Sequence, residues 1–536
     1  MNGFLVTEQG FLVSVKFRKH HYSRFVGINQ WINMRDSGGN RSAYGCPVIT
    51  NHLEEPIRDL VDLIVKRGIL LTMQGEGVGT IDDGAVAIEG SQIVGVGKTH
   101  EIEHRFPRAD LVIDARGKAV MPGLVDAHVH TGQTILRGQG QDVPEIEWMI
   151  KTMAPFGRHT RPEHRLKASA LGVLEAMKAG TTCLGEIGAG SEVAEKVLIK
   201  SGVRAKIATT INEMGPQSRR GAHELVQFDP EVGEKRLKDA IALVDQWHGA
   251  ADGRISCLLS PQAADMMSKE LLVRVKETAK ERNLLTHIHI AQGGREEIQM
   301  KLRYGVTAPR FLDQIGFLDS SVIGAHCHQT SDEEVALLAK RGIRYVSCPS
   351  SIGIIDGITP PLQVYLAAGG WAAGLGTDQA SGNNSHNMMT ELKIAALLNK
   401  TRHRDPTVLP AWKILRIATI ECARCLGLDP QIGSLEEGKR ADLILINLKV
   451  PHLTPVVSSP VRSVPPNIVY SARGDEVDTV IVDGKILMER RVVLTMNEEA
   501  VMEEAQAAAE EVTRSATEDY YAADSHLAKA MKQGLL

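Results

Sequence analysis

Two histidines separated by one residue end an apolar run in MPGLVDAHVH, at His128 and His130. On a β-strand, side chains i and i+2 share a face, so both imidazoles can reach one ion. Three other segments end in residues of the same kind. LLTHIHIAQ offers His287 and His289, VIGAHCHQT offers His326 and His328, and GLGTDQASGNNSHN offers Asp378. Imidazole and carboxylate donors suit a divalent ion, zinc by default, with iron, manganese or cobalt fitting the same donors. The plain alternative is a set of satisfied core histidines. Four separate segments that each end in ligand-type residues argue against it. The chemistry expected of one such ion is activation of water for attack on an sp2 carbon that bears a leaving group.

The elements that must carry these residues alternate. Strand-like runs at 120–130, 181–188, 204–212, 254–262, 284–292, 321–329, 343–351 and 370–379 are separated by amphipathic stretches such as RLKASALGVLEAMKAG and KELLVRVKETAKERN. Eight strands with helical crossovers predict an α/β fold, a (β/α)8 TIM barrel over 120–440, with its chemistry at the C-terminal strand ends. Short β-rich runs broken by glycine fill 59–119 and return at 441–495, as in ADLILINL and VDTVIVDGKILMERRVVL. They predict a small β-sandwich domain built from both ends of the chain. Residues 496–536, rich in Ala and Glu, read as a helical segment. Residues 1–58 show no sustained period. They read as a mobile extension, or as sequence upstream of a start at Met34; a basic partner-binding arm is the sharper reading of FRKHHYSRF.

Composition excludes several classes. Lys plus Arg is 61 and Asp plus Glu is 65, a net charge of −4, and aromatics are 4%. That balance predicts no nucleic-acid partner, since neither a basic excess nor stacking platforms are evident. No apolar run is long enough for a membrane span, and FLVSVKF is too short and too interrupted by charge for a secretory signal. Seven scattered cysteines do not form a disulfide framework, which points to a reducing cytoplasm. Cys422 and Cys425 form a lone CxxC inside an apparent helix and read as packing. GQGQDV and GEGVG lack the strand–loop–helix context of a phosphate loop. Glu391 and Lys393 read as a solvated helix face, Met266 and Met267 as pocket or helix-start packing, and Gly382, Asn383 and Asn384 as the shapers of the loop beside Asp378.

The strings MPGLVDAHVH, GAHCHQTSDEE, GLGTDQASGNNS and GSLEEGKRADLILI resemble the amidohydrolase superfamily over roughly 59–495. The branch resembled holds S-adenosylhomocysteine and methylthioadenosine deaminases, triazine hydrolases, and molinate and phenylurea hydrolases. The resemblance implies His128, His130, His289 and Asp378 as metal ligands. It makes His326 and Asp378 the catalytic pair at the activated water, with His287 one layer down and His328 in support. It also implies a homo-oligomer acting on a small molecule. Three positions depart from the deaminase pattern. Gln292 stands where those enzymes usually carry Glu, Gln262 where the nucleoside deaminases carry His, and Cys348 lies in a segment that often carries His. A Gln amide donates a hydrogen bond but shuttles no proton. The expected reaction is therefore hydrolysis of an amide, urea or (thio)carbamate C–N or C–S bond. The alternative is deamination of an aminated heterocycle, of the adenosyl, triazine or pterin type. Gln262, Gln292, Glu186 and Glu213 are the substrate-binding candidates; either glutamate also reads as a loop residue. A non-catalytic scaffold that kept the fold is the reading from another class.

Overall fold

The computed structural model describes residues 2–6, 12–16, 60–215, 218 and 222–536. The chain divides into two units, Met1–Glu55 and Pro56–Leu536. In the first, Asn2–Val6 and Leu12–Lys16 form an antiparallel hairpin, with Asn2 opposite Lys16. That hairpin was not anticipated from the sequence. The expectations of mobility, of a start at Met34 and of a basic arm otherwise lie outside the described residues.

In the second unit, eight parallel strands carry the ligand-type residues. The first four, Leu124–Val129, Thr181–Ile187, Arg204–Ala208 and Ile255–Cys257, pair in sequence order. So do the next four, Thr286–Ile290, Val322–His326, Arg344–Ser347 and Ala373–Leu375. Parallel bridges Leu259↔Thr286 and Val129↔Asp378 join the two sheets at both edges. The strand order is therefore cyclic, and all eight strands fall within the expected runs. They are buried along nearly their whole length, which is why they read as continuous apolar runs rather than alternating ones.

Helices between the strands bury one stripe each. Lys269–Glu281 packs Leu271, Leu272, Val275 and Ala279 inward at helical spacing, and Ser268 caps its start by accepting the Leu271 N–H at 3.2 Å. Asp332–Arg341 opens with a capping box between Ser331 and Glu334.

The expected 120–130 strand is in fact two. Lys118–Pro122 belongs to a sheet built from both ends of the chain, and Leu124–Val129 begins the cyclic set. Gly123 separates them. A Cβ there would lie 2.0 Å from the Thr182 hydroxyl, so only glycine lets the chain cross between sheets.

The terminal sheet is one continuous nine-stranded sheet rather than two hydrogen-bonded layers. Strand Val61–Leu71 pairs Ala109–Asp114 along its first half and Lys118–Pro122 at its end. Leu443–Asn447 and Val477–Val482 extend it from the C-terminal side. Its apolar core joins Leu63, Val86, Val120, Leu443 and Ile481. A buried Arg204 ties it to the third parallel strand, donating to both Asp442 carboxylate oxygens at 2.7 and 3.0 Å. The C-terminal segment forms two helices, Glu498–Ala522 and His526–Lys532. No helix among the described residues is long and apolar enough to cross a membrane.

Candidate active site and histidine cluster

His128, His130, His289, His326 and Asp378 meet at the C-terminal ends of the first, fifth, sixth and eighth parallel strands. Backbone geometry aims several of these side chains. Ala291, His326, Cys327 and Asp378 hold φ of 49°, 72°, 50° and 62°. Left-handed conformations in non-glycine residues cost about 1–3 kcal/mol each and persist where the surroundings enforce them. Gly376 lets the last strand close on the first, because a Cβ there would lie 2.6 Å from the His128 carbonyl.

The outward nitrogens of the three ligand-type imidazoles are occupied. His130 Nδ1 lies 2.7 Å from the Ile187 carbonyl and His289 Nδ1 lies 2.7 Å from the Gln262 carbonyl. A carbonyl only accepts, so both Nδ1 atoms carry the proton and both Nε2 atoms present lone pairs. Those two Nε2 atoms face each other at 3.3 Å. Two lone pairs that close repel unless a cation lies between them. Two metal–nitrogen bonds of about 2.0–2.1 Å at a near-tetrahedral angle span about 3.3 Å.

His128 Nδ1 is 3.0 Å from His287 Nε2, while its Nε2 is buried without a hydrogen-bond partner. Asp378 Oδ1 is likewise unpartnered, 3.4 Å from His128 Nε2 and 3.5 Å from His130 Nε2. Asp378 Oδ2 accepts the Ser351 hydroxyl at 2.7 Å. Orphaned buried donors and acceptors converging on one point, each held from behind, are what a cation site requires. His128, His130 and His289 form one set that could hold an ion; His128, His326 and Asp378 form another.

Burial disfavours the charged form of four of the imidazoles. Desolvation pushes the imidazoles of His128, His287 and His326 well below the usual histidine range, and that of His289 down to about 4. Neutral imidazole is the metal-ligating form.

A cavity of about 580 Å³ opens over the cluster. Three of the substrate-binding candidates, Gln262, Gln292 and Glu186, line it. Gln262 holds His289 through its carbonyl and accepts the Asn212 amide on its own side chain. Gln292 donates its backbone N–H to Glu296 at 2.8 Å, and its side-chain Nε2 is buried without a partner. Glu186 accepts the Thr131 N–H at 3.1 Å, and burial pushes its carboxyl up to about 8.

Glu213 stands apart from the cavity. Its carboxylate accepts the Ser268 N–H just ahead of a helix, which is the loop reading. His287 sits below His128 as expected, and His328 pairs with Asp356 at 2.9 Å. Cys348 is buried outside the lining, and Cys422 packs its Sγ against the Leu375 backbone. Met266 and Met267 also lie outside the lining, in the core. Asn383 donates to the Thr377 carbonyl at 2.7 Å, fixing the turn into Asp378.

Glu391 corrects the solvated-face reading. It is fully buried and accepts from Ser350 N–H and the Asn383 amide. Sequence reasoning missed Ser351, Glu145, Trp148 and Asp356. The last three line the cavity, and no spacing rule connects any of the four to the cluster.

The comparisons agree with this geometry. The amidohydrolase family model matches residues 119–487. A 5'-deoxyadenosine deaminase of Methanosarcina acetivorans is 37% identical over 85% of this chain and 100% of its own. A 5-methylthioadenosine/S-adenosylhomocysteine deaminase of Moorella thermoacetica is 36% identical over 82% of this chain and 97% of its own. Among solved structures, an adenosine deaminase of Xanthomonas campestris with bound zinc superposes with a TM-score of 0.77. It is 27% identical and covers 85% of this chain and 99% of its own. A zinc-complexed atrazine chlorohydrolase of Arthrobacter aurescens TC1, 22% identical, has the same fold at a TM-score of 0.73 over 83% of this chain and 100% of its own. The chain therefore belongs to the amidohydrolase family, as a hydrolase of carbon–nitrogen bonds other than peptide bonds.

Proposed function

We propose that a (β/α)8 barrel at 120–440 holds one divalent ion, zinc by default, on His128, His130, His289 and Asp378. In this reading the enzyme hydrolyses the C–N bond of a small amide, urea or carbamate. Gln292 carries the proposal: its buried Nε2, without a partner, supplies a fixed hydrogen-bond donor and no transferable proton. A carbonyl oxygen accepts such a bond.

The ion, when bound, supplies Lewis-acid activation of water and of the electrophile. The protein's own groups do the rest. Asp378 is the base that takes the proton of the attacking water at Oδ1, its other oxygen pinned by Ser351. His326 orients the attacking water and stabilises charge that develops on the substrate oxygen. Glu186 lines the cavity, and burial raises its proton affinity, so it is the group assigned to deliver a proton to the departing nitrogen.

The second reading is deamination of an aminated heterocycle, favoured by the activities in the relatives' names. One experiment separates the two. Zinc-loaded protein is incubated with 5'-deoxyadenosine, aminated triazines and pterins, N-acyl anilines, phenylureas and thiocarbamates, and products are identified by mass spectrometry. Cleavage into an amine and an acyl-derived fragment supports the first reading. Exchange of an amino group for oxygen with release of ammonia overturns it in favour of the second. No product from any member rejects both.

A further inference from the structure

We propose that Glu145 and Asp356 form a subsite for a cationic nitrogen group, an ammonium, amidinium or guanidinium, on the part of the substrate that is not cleaved. The inference rests on the same cavity as the hydrolase reading and adds a substrate class to it.

Both carboxylates line the cavity, and each is held from behind by a buried cation or imidazole. Glu145 is 6% exposed. Its Oε2 accepts the Arg295 N–H at 3.3 Å, while its Oε1 is buried with no hydrogen-bond partner, 3.7 Å from Arg295 Nε. Asp356 Oδ2 is fixed by His328 at 2.9 Å, and the His328 side chain is fully buried. Burial raises the proton affinity of Glu145, Arg295 opposes that rise, and Asp356 adds a smaller repulsion.

Arg295 is shared between buried Asp265 and Glu145, so one guanidinium serves two carboxylates. A buried unpartnered carboxylate oxygen is costly, and a charge-assisted hydrogen bond from a ligand is the direct remedy. Trp148 lies one helical turn from Glu145 and lines the same cavity, with its indole N–H donated to the Ser381 carbonyl at 3.2 Å. An indole that lines a cavity beside carboxylates suits a cation better than a neutral group.

The test reads binding rather than turnover. Calorimetric titration of the full-length, zinc-loaded protein uses benzylammonium and benzamidinium against benzyl alcohol and benzamide. The expected result is a Kd at least tenfold lower for the cations, with the preference lost in Glu145→Gln and in Asp356→Asn. Equal affinity for charged and neutral probes overturns the subsite, as does a preference that survives both substitutions in folded variants. Should neither variant fold, the wild-type comparison and its weakening by salt decide alone. A failed cation preference leaves the hydrolase reading standing. Cation binding with no hydrolysis anywhere in the substrate panel does the reverse.

Discussion

His287 touches no cavity, yet the site depends on it. It is fully buried and meets His128 Nδ1 at 3.0 Å. With His128 Nε2 facing the cluster, Nδ1 must carry the proton and His287 must accept it. His287→Phe keeps a planar ring, somewhat larger than imidazole, and deletes the acceptor. The buried Nδ1–H then either stays unsatisfied, at about 1–3 kcal/mol, or moves its proton to Nε2 and removes the lone pair. The metal-free variant escapes that cost by the tautomer shift and metal binding must reverse it, so binding weakens by up to that amount, about 5- to 150-fold in Kd. This matches the typical loss of about 10- to 100-fold when a ligand's outer partner is removed. The assay is competition with a chromophoric chelator across a zinc series. His287→Gln, whose Oε1 accepts a hydrogen bond, should recover part of the loss. A His287→Phe protein that folds and holds zinc within threefold of wild type would refute the reasoning.

Ser351→Ala should lower kcat about 10- to 100-fold with metal content unchanged, since a buried hydrogen bond to a charged carboxylate is worth about 1.5–3 kcal/mol; steady-state kinetics with metal analysis checks it. Gln292→Glu should raise release of ammonia from aminated heterocycles if the pocket is a deaminase pocket, and ammonia assay on 5'-deoxyadenosine reads it. Arg204→Leu strands Asp442 and Asp483 in the interior and should cost about 3–5 kcal/mol of stability, measured by denaturant unfolding. Lys206 is buried, and desolvation pushes its ammonium down to about 8. The unfolded chain binds the extra proton between pH 8 and about 10.4, so its contribution to stability rises with pH through that window. The stability of wild type relative to Lys206→Met should therefore climb by about 2 kcal/mol from pH 8 to 10.4.

Much of the fold was legible because the parallel strands are buried on both faces and announce themselves as apolar runs. His128 and His130 were legible because a strand's period of two puts them on one face by local geometry alone. Boundaries set by close approach were not. Gly123 divides two strands because of Thr182, which lies 59 residues away. Glu391 sits at a helical position that could face either way, and only the Ser350 and Asn383 donors explain its burial. Ser351, Glu145 and Asp356 take their meaning from partners on other strands and loops. Arg295 lies 150 residues from Glu145, and no local pattern encodes such a pairing. Glu213 and Glu186 look alike in sequence, each near a strand end. Glu213 accepts the Ser268 N–H away from the cavity, whereas Glu186 accepts the Thr131 N–H and lines it, and both partners lie far off along the chain.

The central claim is that the converging lone pairs of His128, His130, His289 and Asp378 hold one catalytic ion. Equilibrium dialysis of metal-stripped protein against zinc, read by elemental analysis, tests it most directly. One tightly held ion per chain is expected in the wild type, and its loss is expected in His130→Ala and His289→Ala variants that keep their fold. A wild-type chain that takes up no stoichiometric ion, or variants that retain it, would contradict the account.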